Sequence, residues 1–201
     1  MMCSSATSLH ALRRGRLRPG ETVAVFGTGG LGMSAVQLAR ALGARAVFAV
    51  DIRADKLAAA ARLGAVAVDA SAGDPVPRLL AATDGHGVDV TLDLVGLPLT
   101  MRQALTALAP QGRAVLVGLS DQPLELDPYR ELLGREAELI GCNDHTLGEL
   151  AELMAFAERG ALDLSQAVTH TVPLEAAAIN EVLDALQQHR AGVRTVVVPG
   201  A

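Results

Sequence analysis

The run Val23-Ala-Val-Phe-Gly27-Thr-Gly29-Gly30-Leu-Gly32 limits the fold more than any other part of this sequence. An apolar stretch enters a glycine-rich turn, and a helical pattern from Ser34 to Leu42 follows at once. Nineteen residues past Gly32, after the apolar run Ala46-Val-Phe-Ala-Val50, stands Asp51. Strand, G-x-G-x-x-G, helix, strand and acid, in that order, form the fingerprint of a dinucleotide-binding βαβ unit. Gly27 allows the tight turn, Gly29 lets a pyrophosphate approach the backbone, and Gly32 lets the helix pack closely on the strand. The free N–H groups of the helix start, near Gly30 and Leu31, face the phosphates, and the helix dipole adds roughly 0.3–1 kcal/mol.

Asp51 can accept hydrogen bonds from the adenosine ribose hydroxyls. A 2′-phosphate about 4 Å from that carboxylate would cost on the order of 4 kcal/mol per unit charge at an effective dielectric of about 20. The pattern therefore favours NAD over NADP. Arg53 argues the other way, because a guanidinium two residues on can pair with a 2′-phosphate. A methyltransferase also joins a glycine loop to an acid after its second strand. The third glycine and the pattern that follows argue against that class.

The rest of the chain continues the rhythm. A short helix is expected over 6–17, ending at Arg18-Pro19-Gly20. Strands are expected over 22–26, 46–50, 65–68, 88–94, 113–119 and 138–141, with helices over 30–42, 55–63, 77–82 and 99–108 and a turn at Pro110-Gln-Gly112. Each strand is continuously apolar, as in a parallel sheet buried on both faces. The fold class is α/β: a Rossmann doubly wound parallel six-stranded sheet, order 3-2-1-4-5-6, with a C-terminal α/β appendage. Residues 1–141 are expected to form the NAD(P)-binding domain with its short N-terminal helix. Residues 142–201 depart from this rhythm and are expected to be part of another domain, which the resemblance given below implies is the remnant of a catalytic domain packed on the first, with helices over 147–159 and 174–188 and strands over 168–172 and 192–198.

Composition narrows the function classes. At 201 residues the chain is one domain, or one domain with an appendage. Aromatic residues are only 2%, so its core must be built from Ala, Val and Leu. A net charge of −5 gives no electrostatic footprint for nucleic acid, and no apolar run approaches the ~20 residues of a membrane-spanning helix. The two cysteines, Cys3 and Cys142, make neither a disulfide framework nor a closed zinc site, which points to a reducing cytoplasm. Tyr129 has Leu133 four residues on, so a Tyr-x-x-x-Lys catalytic pair is excluded. A Gly-x-Ser-x-Gly elbow and a Walker loop are absent as well. His10, His86, His145, His170 and His189 show no ligand spacing. Asp93 ends the fourth strand, where it either lines the ligand crevice or is a carboxylate satisfied by backbone donors.

Several further motifs carry a resemblance. They are Cys3-x-x-x-Thr7, Leu17-x-Pro-Gly20-Glu-Thr-Val, Gly27-x-Gly-Gly-Leu-Gly32, Val50-Asp51-x-x-x-x-Lys56, Gly112-Arg-x-Val-x-Val-Gly118 and Gly192-x-Arg194-x-Val-Val. On these, from Cys3 to Val198, the chain resembles the C-terminal part of the zinc-type medium-chain dehydrogenases, the alcohol dehydrogenase family. The same match sets aside a transit-peptide reading of the arginine-rich residues 1–20.

The resemblance implies that Cys3 is a thiolate ligand of the catalytic zinc and that Thr7 contacts the nicotinamide end. It implies that Lys56 helps hold the adenosine and that backbone groups of Val117, Gly118 and Leu119 meet the carboxamide. It gives Arg194 a contact to the pyrophosphate, in keeping with bidentate guanidinium–phosphate pairing. A catalytic zinc needs three protein ligands and an open position. The family's N-terminal domain, which supplies the other two ligands and most of the substrate pocket, has no counterpart in these residues. The sequence thus reads as a fragment of an enzyme, or as a gene truncated near Cys3, with no catalytic residue of its own beyond the cofactor and metal contacts.

Two functions follow from the resemblance. One is the cofactor-binding part of a zinc-dependent NAD(P) alcohol dehydrogenase-like oxidoreductase, with NAD preferred to NADP, zinc in the intact enzyme and a small alcohol or carbonyl substrate. The alternative is a truncated NAD(H)-binding module without turnover. The resemblance also implies a homo-oligomer, while charge and apolar-run length lead to an expectation of neither nucleic-acid nor membrane partners.

Overall fold

The computed structural model describes residues 2–165, 167–188, 190 and 192–200. His189 lies outside the described residues. The chain divides into two compact units, residues 1–162 and 163–201.

Six strands make the sheet of the first unit: β1 (Thr22–Phe26), β2 (Ala46–Asp51), β3 (Val66–Asp69), β4 (Val88–Asp93), β5 (Leu108–Leu116) and β6 (Glu138–Gly141). Every neighbouring pair is parallel, and the order is β3-β2-β1-β4-β5-β6, as the sequence pattern implies. The helices are α1 (Met2–Arg14), α2 (Gly30–Ala41), α3 (Ala54–Arg62), α4 (Val76–Ala81), α5 (Pro98–Thr106) and α6 (Leu147–Glu158). A π turn at Pro128–Leu132 and a 3-10 turn at Leu133–Arg135 precede β6.

The register explains why the strands are apolar throughout. Val23 and Val25 of β1 pair with Val47 and Ala49 of β2 and with Val90 and Leu92 of β4, so these six share one face. A Cβ on Gly15, just past α1, would lie 2.9 Å from Val90, and one on Gly32 would lie 3.6 Å from Val25, so α1 and α2 cover that face. Ala24, Phe26, Phe48 and Val50 face the other way, into a buried cluster with Val76, Leu79, Ala104 and Ala107 of the α4–α5 side. Alternation would leave one face wet, whereas β1, β2 and β4 are dry on both faces and exposure rises at the edge strands β3 and β6.

The N-terminal edge of the sheet is held by charge. Thr22 donates both its N–H and its hydroxyl to Asp89 Oδ2 at 2.7 Å. Arg113 of β5 reaches Glu21 at 2.6 Å and the Gly15 carbonyl at 3.0 Å, with the two charged side chains only 12% and 17% exposed.

One expectation about the strands is corrected. Pro110-Gln-Gly112 is not a turn that precedes a strand. It lies inside β5, where the register jumps from Val88↔Leu108 to Val90↔Arg113 and Gln111 takes φ 62°. Proline cannot donate to the ladder, so the strand bulges around it rather than ending. The tail has the strand–helix–strand order expected of it: β7 (His170–Pro173) and β8 (Thr195–Val198) pair in parallel, connected by α7 (Ala176–Gln187), in a two-stranded sheet of their own that does not extend the six-stranded one.

The helix α6, which the sequence pattern groups with the appendage, belongs to the first unit. Its tie is to α1. His10 Nδ1 lies 2.7 Å from Glu149 Oε1, both side chains being mostly buried, and Arg13 pairs with Glu152. Glu149 also closes a capping box with Thr146, accepting the Thr146 N–H at 2.7 Å. Burial pushes the Glu149 carboxyl up, but the Thr146 N–H and His10 outweigh it and its pKa falls below the ordinary glutamate value. A depressed folded-state pKa contributes stability above the unfolded pKa that is lost as pH falls through the folded one. Thermal melts of Glu149→Gln should therefore show a loss of about 1–2 kcal/mol near neutrality. That difference from wild type should shrink as pH is lowered below the normal glutamate range.

Candidate functional site

The switch point of the sheet lies between β1 and β4, whose following connections run to opposite edges. In sheets of this kind the crevice beyond the carboxyl ends of these strands is the ligand site. The glycine turn sits there. Gly27 has φ 90°, and a Cβ on it would lie 2.8 Å from Val95 of the neighbouring loop. A Cβ on Gly32 would stand 2.1 Å from the Gly27 carbonyl oxygen, a separation no side chain can meet. Gly29 is the opposite case, because a Cβ there would meet nothing within 4 Å. Gly27 and Gly32 are thus demanded by the fold, while Gly29 fronts open space at the head of α2. Among the described residues no protein acceptor takes the N–H groups of Gly30, Leu31 or Gly32, which leaves three donors facing that space. This cradle fits a pyrophosphate.

Asp51 ends β2 beside it. Its Oδ2 accepts the Thr28 N–H and the Thr28 hydroxyl, both at 2.7 Å, and its Oδ1 accepts the Arg53 N–H at 3.0 Å. The carboxylate therefore joins the glycine turn to the loop after β2, and its remaining acceptor capacity suits a ribose hydroxyl pair. The fingerprint spacing does not single out Thr28, although a threonine between two of its glycines can donate twice. Arg53 is bound bidentately to Asp55, Nε to Oδ1 at 2.9 Å and Nη2 to Oδ2 at 2.6 Å. That pairing raises the arginine's pKa and lowers the aspartate's. Lys56 is half-buried in the first turn of α3, and among the described residues its ammonium has no ion-pair partner.

The loops after β4 and β5 form the other wall. Val117 and Gly118 both donate their N–H to the Asp93 carbonyl at 2.9 Å. A Cβ on Gly118 would lie 2.2 Å from Gly96 N, and one on Gly96 would lie 2.3 Å from the Leu119 carbonyl oxygen. The two loops are thus interlocked backbone to backbone through Gly96, which no fingerprint spacing marks although it follows β4 within three residues. With two amides committed to Asp93, the groups left for a ligand are the carbonyls of Val117 and Gly118 and the exposed Leu119 N–H. Asp93 itself is fully buried, and burial raises its pKa. Its Oδ2 accepts the Gly96 N–H at 3.1 Å, so the carboxylate shapes this loop through a backbone donor.

The helix α1 brings two more residues. Thr7 is buried, and its hydroxyl lies 3.5 Å from Asp144 Oδ1. Cys3 stands one turn earlier and is exposed. Next to Thr7, Ser8 Oγ lies 2.8 Å from both the Ser4 and Leu31 carbonyls, and Ser5 Oγ lies 2.9 Å from Ser34 Oγ, so α1 is stitched to the head of α2. Among the described residues no three His, Cys, Asp or Glu side chains gather into a metal site. The residues present therefore do not fit a catalytic zinc held by this chain alone. Cys142 is buried, with its thiol pushed up to about 11 by loss of solvent. Arg194 lies in the second unit at the entry to β8, where its N–H donates to Thr169 Oγ1 at 3.2 Å and its carbonyl accepts the Thr169 N–H at 2.9 Å.

Comparison with known proteins agrees with this geometry. Residues 30–159 match the family described as zinc-binding dehydrogenase, and the chain belongs to that family. An NAD-dependent alcohol dehydrogenase of Sulfurisphaera tokodaii is 35% identical over 99% of this chain and 56% of its own length. The alcohol dehydrogenase of Thermus sp. ATN1 superposes with a TM-score of 0.87 at 30% identity, over 97% of this chain and 56% of that one. A zinc-binding dehydrogenase of Sinorhizobium meliloti, bound to NADP, gives 0.85 at 27% identity over 98% of this chain and 58% of that one. The chain spans about half the length of the curated relatives it matches.

The two kinds of glycine separate in a stability measurement. Gly32→Ala should lower the melting temperature strongly, by the equivalent of about 1–3 kcal/mol or more, because backbone must move. Gly29→Ala should melt within about 0.5–1 kcal/mol of wild type.

Proposed function

We propose that this chain is the cofactor-binding part of an alcohol dehydrogenase-like oxidoreductase and that it holds NAD(H). The observation that carries the reading is the pairing of three unclaimed amide donors at the head of α2 with the Asp51 carboxylate, fixed 2.7 Å from the Thr28 N–H of the same turn. The amides of Gly30, Leu31 and Gly32 bind the pyrophosphate, with Gly29 giving it room. Asp51 takes the adenosine ribose, and Lys56 flanks the adenosine. Thr7 and the backbone of Val117, Gly118 and Leu119 orient the nicotinamide end. When bound, the cofactor supplies a hydride acceptor, and these residues bind and orient it.

In this reading the substrate is a small alcohol or carbonyl compound and the compartment is the cytoplasm, in keeping with two free cysteines. β6 is an edge strand of the sheet, which suits pairing with a second copy. A second reading, a dinucleotide-binding module without turnover of its own, is favoured by one observation: Cys3 stands in no three-ligand group among the described residues.

The chain has no tryptophan, so bound NADH can be followed by its own fluorescence without energy transfer from indole. Titration should give saturable binding. Asp51→Gly should reduce the preference for NADH over NADPH by at least about tenfold. Absence of NADH binding by folded protein would overturn the proposal. Alcohol oxidation by this chain with added zinc would overturn the second reading.

A further inference from the structure

Asp51 ends β2, and a second carboxylate close by, Asp55 in the first turn of α3, has no assigned role. Arg53 follows Asp51 so closely that its N–H donates to Asp51 Oδ1 at 3.0 Å. An arginine at this place is the group by which a dinucleotide site accepts a 2′-phosphate. Its planar fork matches two phosphate oxygens, as it matches two carboxylate oxygens. Here the fork is already matched: Nε and Nη2 meet both oxygens of Asp55, at 2.9 and 2.6 Å. The same donors cannot serve a phosphate while they serve Asp55. The arginine side chain is 23% exposed and the aspartate 62%, so Arg53 is the more confined partner and Asp55 holds it from the solvent side.

We propose that Asp55 is a specificity-determining residue, one that keeps a 2′-phosphorylated dinucleotide out by occupying the Arg53 fork. Asp51 repels the phosphate directly, and Asp55 removes the cation that would offset the repulsion. The inference rests on the dinucleotide reading of the site and assigns a residue that the glycine fingerprint does not include. It also accounts for an arginine that would otherwise contradict the acid beside it. Within one family, relatives with NAD in their names and a relative with NADP bound both occur. A tethered arginine is a device by which one loop moves between the two.

The test uses the whole chain, with NADH and NADPH as probes. Asp55→Asn keeps the shape and removes the charge. It should tighten NADPH binding about three- to tenfold, the range of an exposed ion pair released to a better partner, with NADH changed less than about twofold. Asp55→Ser should act in the same direction, which guards against an effect peculiar to the amide. The double variant R53A/D55N should lose the gain, because the freed guanidinium is its source. Two results would overturn the proposal: no gain for NADPH in either Asp55 variant, or a gain that survives in the double variant, which would mean that removal of bulk negative charge suffices. Failure of folded wild type to bind either probe would instead overturn the dinucleotide reading, so the two failures are distinguishable.

Discussion

At the head of α2 one glycine carbonyl stands 2.1 Å from the place where the Cβ of another residue would be. That approach, Gly27 against Gly32, is the constraint on which the carboxyl end of the sheet depends. It brings the helix start back over β1, so the unbonded amides of α2 open onto the switch point rather than into the turn. It also places Thr28 where its N–H and hydroxyl both reach Asp51. The same device recurs on the opposite wall, where Gly96 and Gly118 interlock the loops after β4 and β5. A crevice of this kind is made by omitting side chains on the two walls and keeping one gap, at Gly29, free of any contact.

Two aspartates close the strands beside this crevice, and their surroundings divide their roles. Asp51 is partly exposed and accepts three donors from two loops, at the mouth of the crevice. Asp93 is fully buried and, among the described residues, its Oδ1 has no hydrogen-bond partner. Removal from water disfavours the ionised form, and the raised pKa follows from that. Its folded-state pKa lies above the unfolded one, so this residue's effect on stability is most favourable in acid and weakens as pH rises. Glu149, with its pKa depressed by the Thr146 N–H and His10 against the effect of burial, has the opposite slope. The carboxylate that meets solvent is therefore suited to a ligand, and the buried one to fixing a loop.

The fold was largely legible in the sequence because a parallel sheet covered on both faces writes itself as uninterrupted apolar strands between helical patterns. The strand order and the bounds of β1 and β6 are as that pattern implies. The bulge at Pro110–Gly112 was not legible, because Pro-x-Gly marks a break in pairing but not whether the strand resumes on the far side. The place of α6 was not legible either. An amphipathic helix states that it packs, and only its partners, His10 against Glu149 and Arg13 against Glu152, say on what. Of the site, the fingerprint glycines and Asp51 could be read at fixed spacing. Thr28, Gly96 and Asp55 act through contacts with residues distant in sequence or through side-chain geometry, and neither has a periodic signature.

The helix α1 shows why the two halves of the family's chemistry can be read together even though this chain groups only one of them. Cys3 and Thr7 are separated by one helical turn and so lie on neighbouring positions of one face. Ser5 and Ser8, from the same turns, bond to Ser34 and to the Leu31 carbonyl at the start of α2. Whatever orients the amides of Leu31 and Gly32 toward a pyrophosphate therefore also fixes the rotation of α1, and with it the distance from the phosphate cradle to Thr7 and Cys3. The face of α1 that carries Cys3 and Thr7 therefore takes its position from the glycine turn. No cluster of three metal-ligating side chains among the described residues helps to hold it.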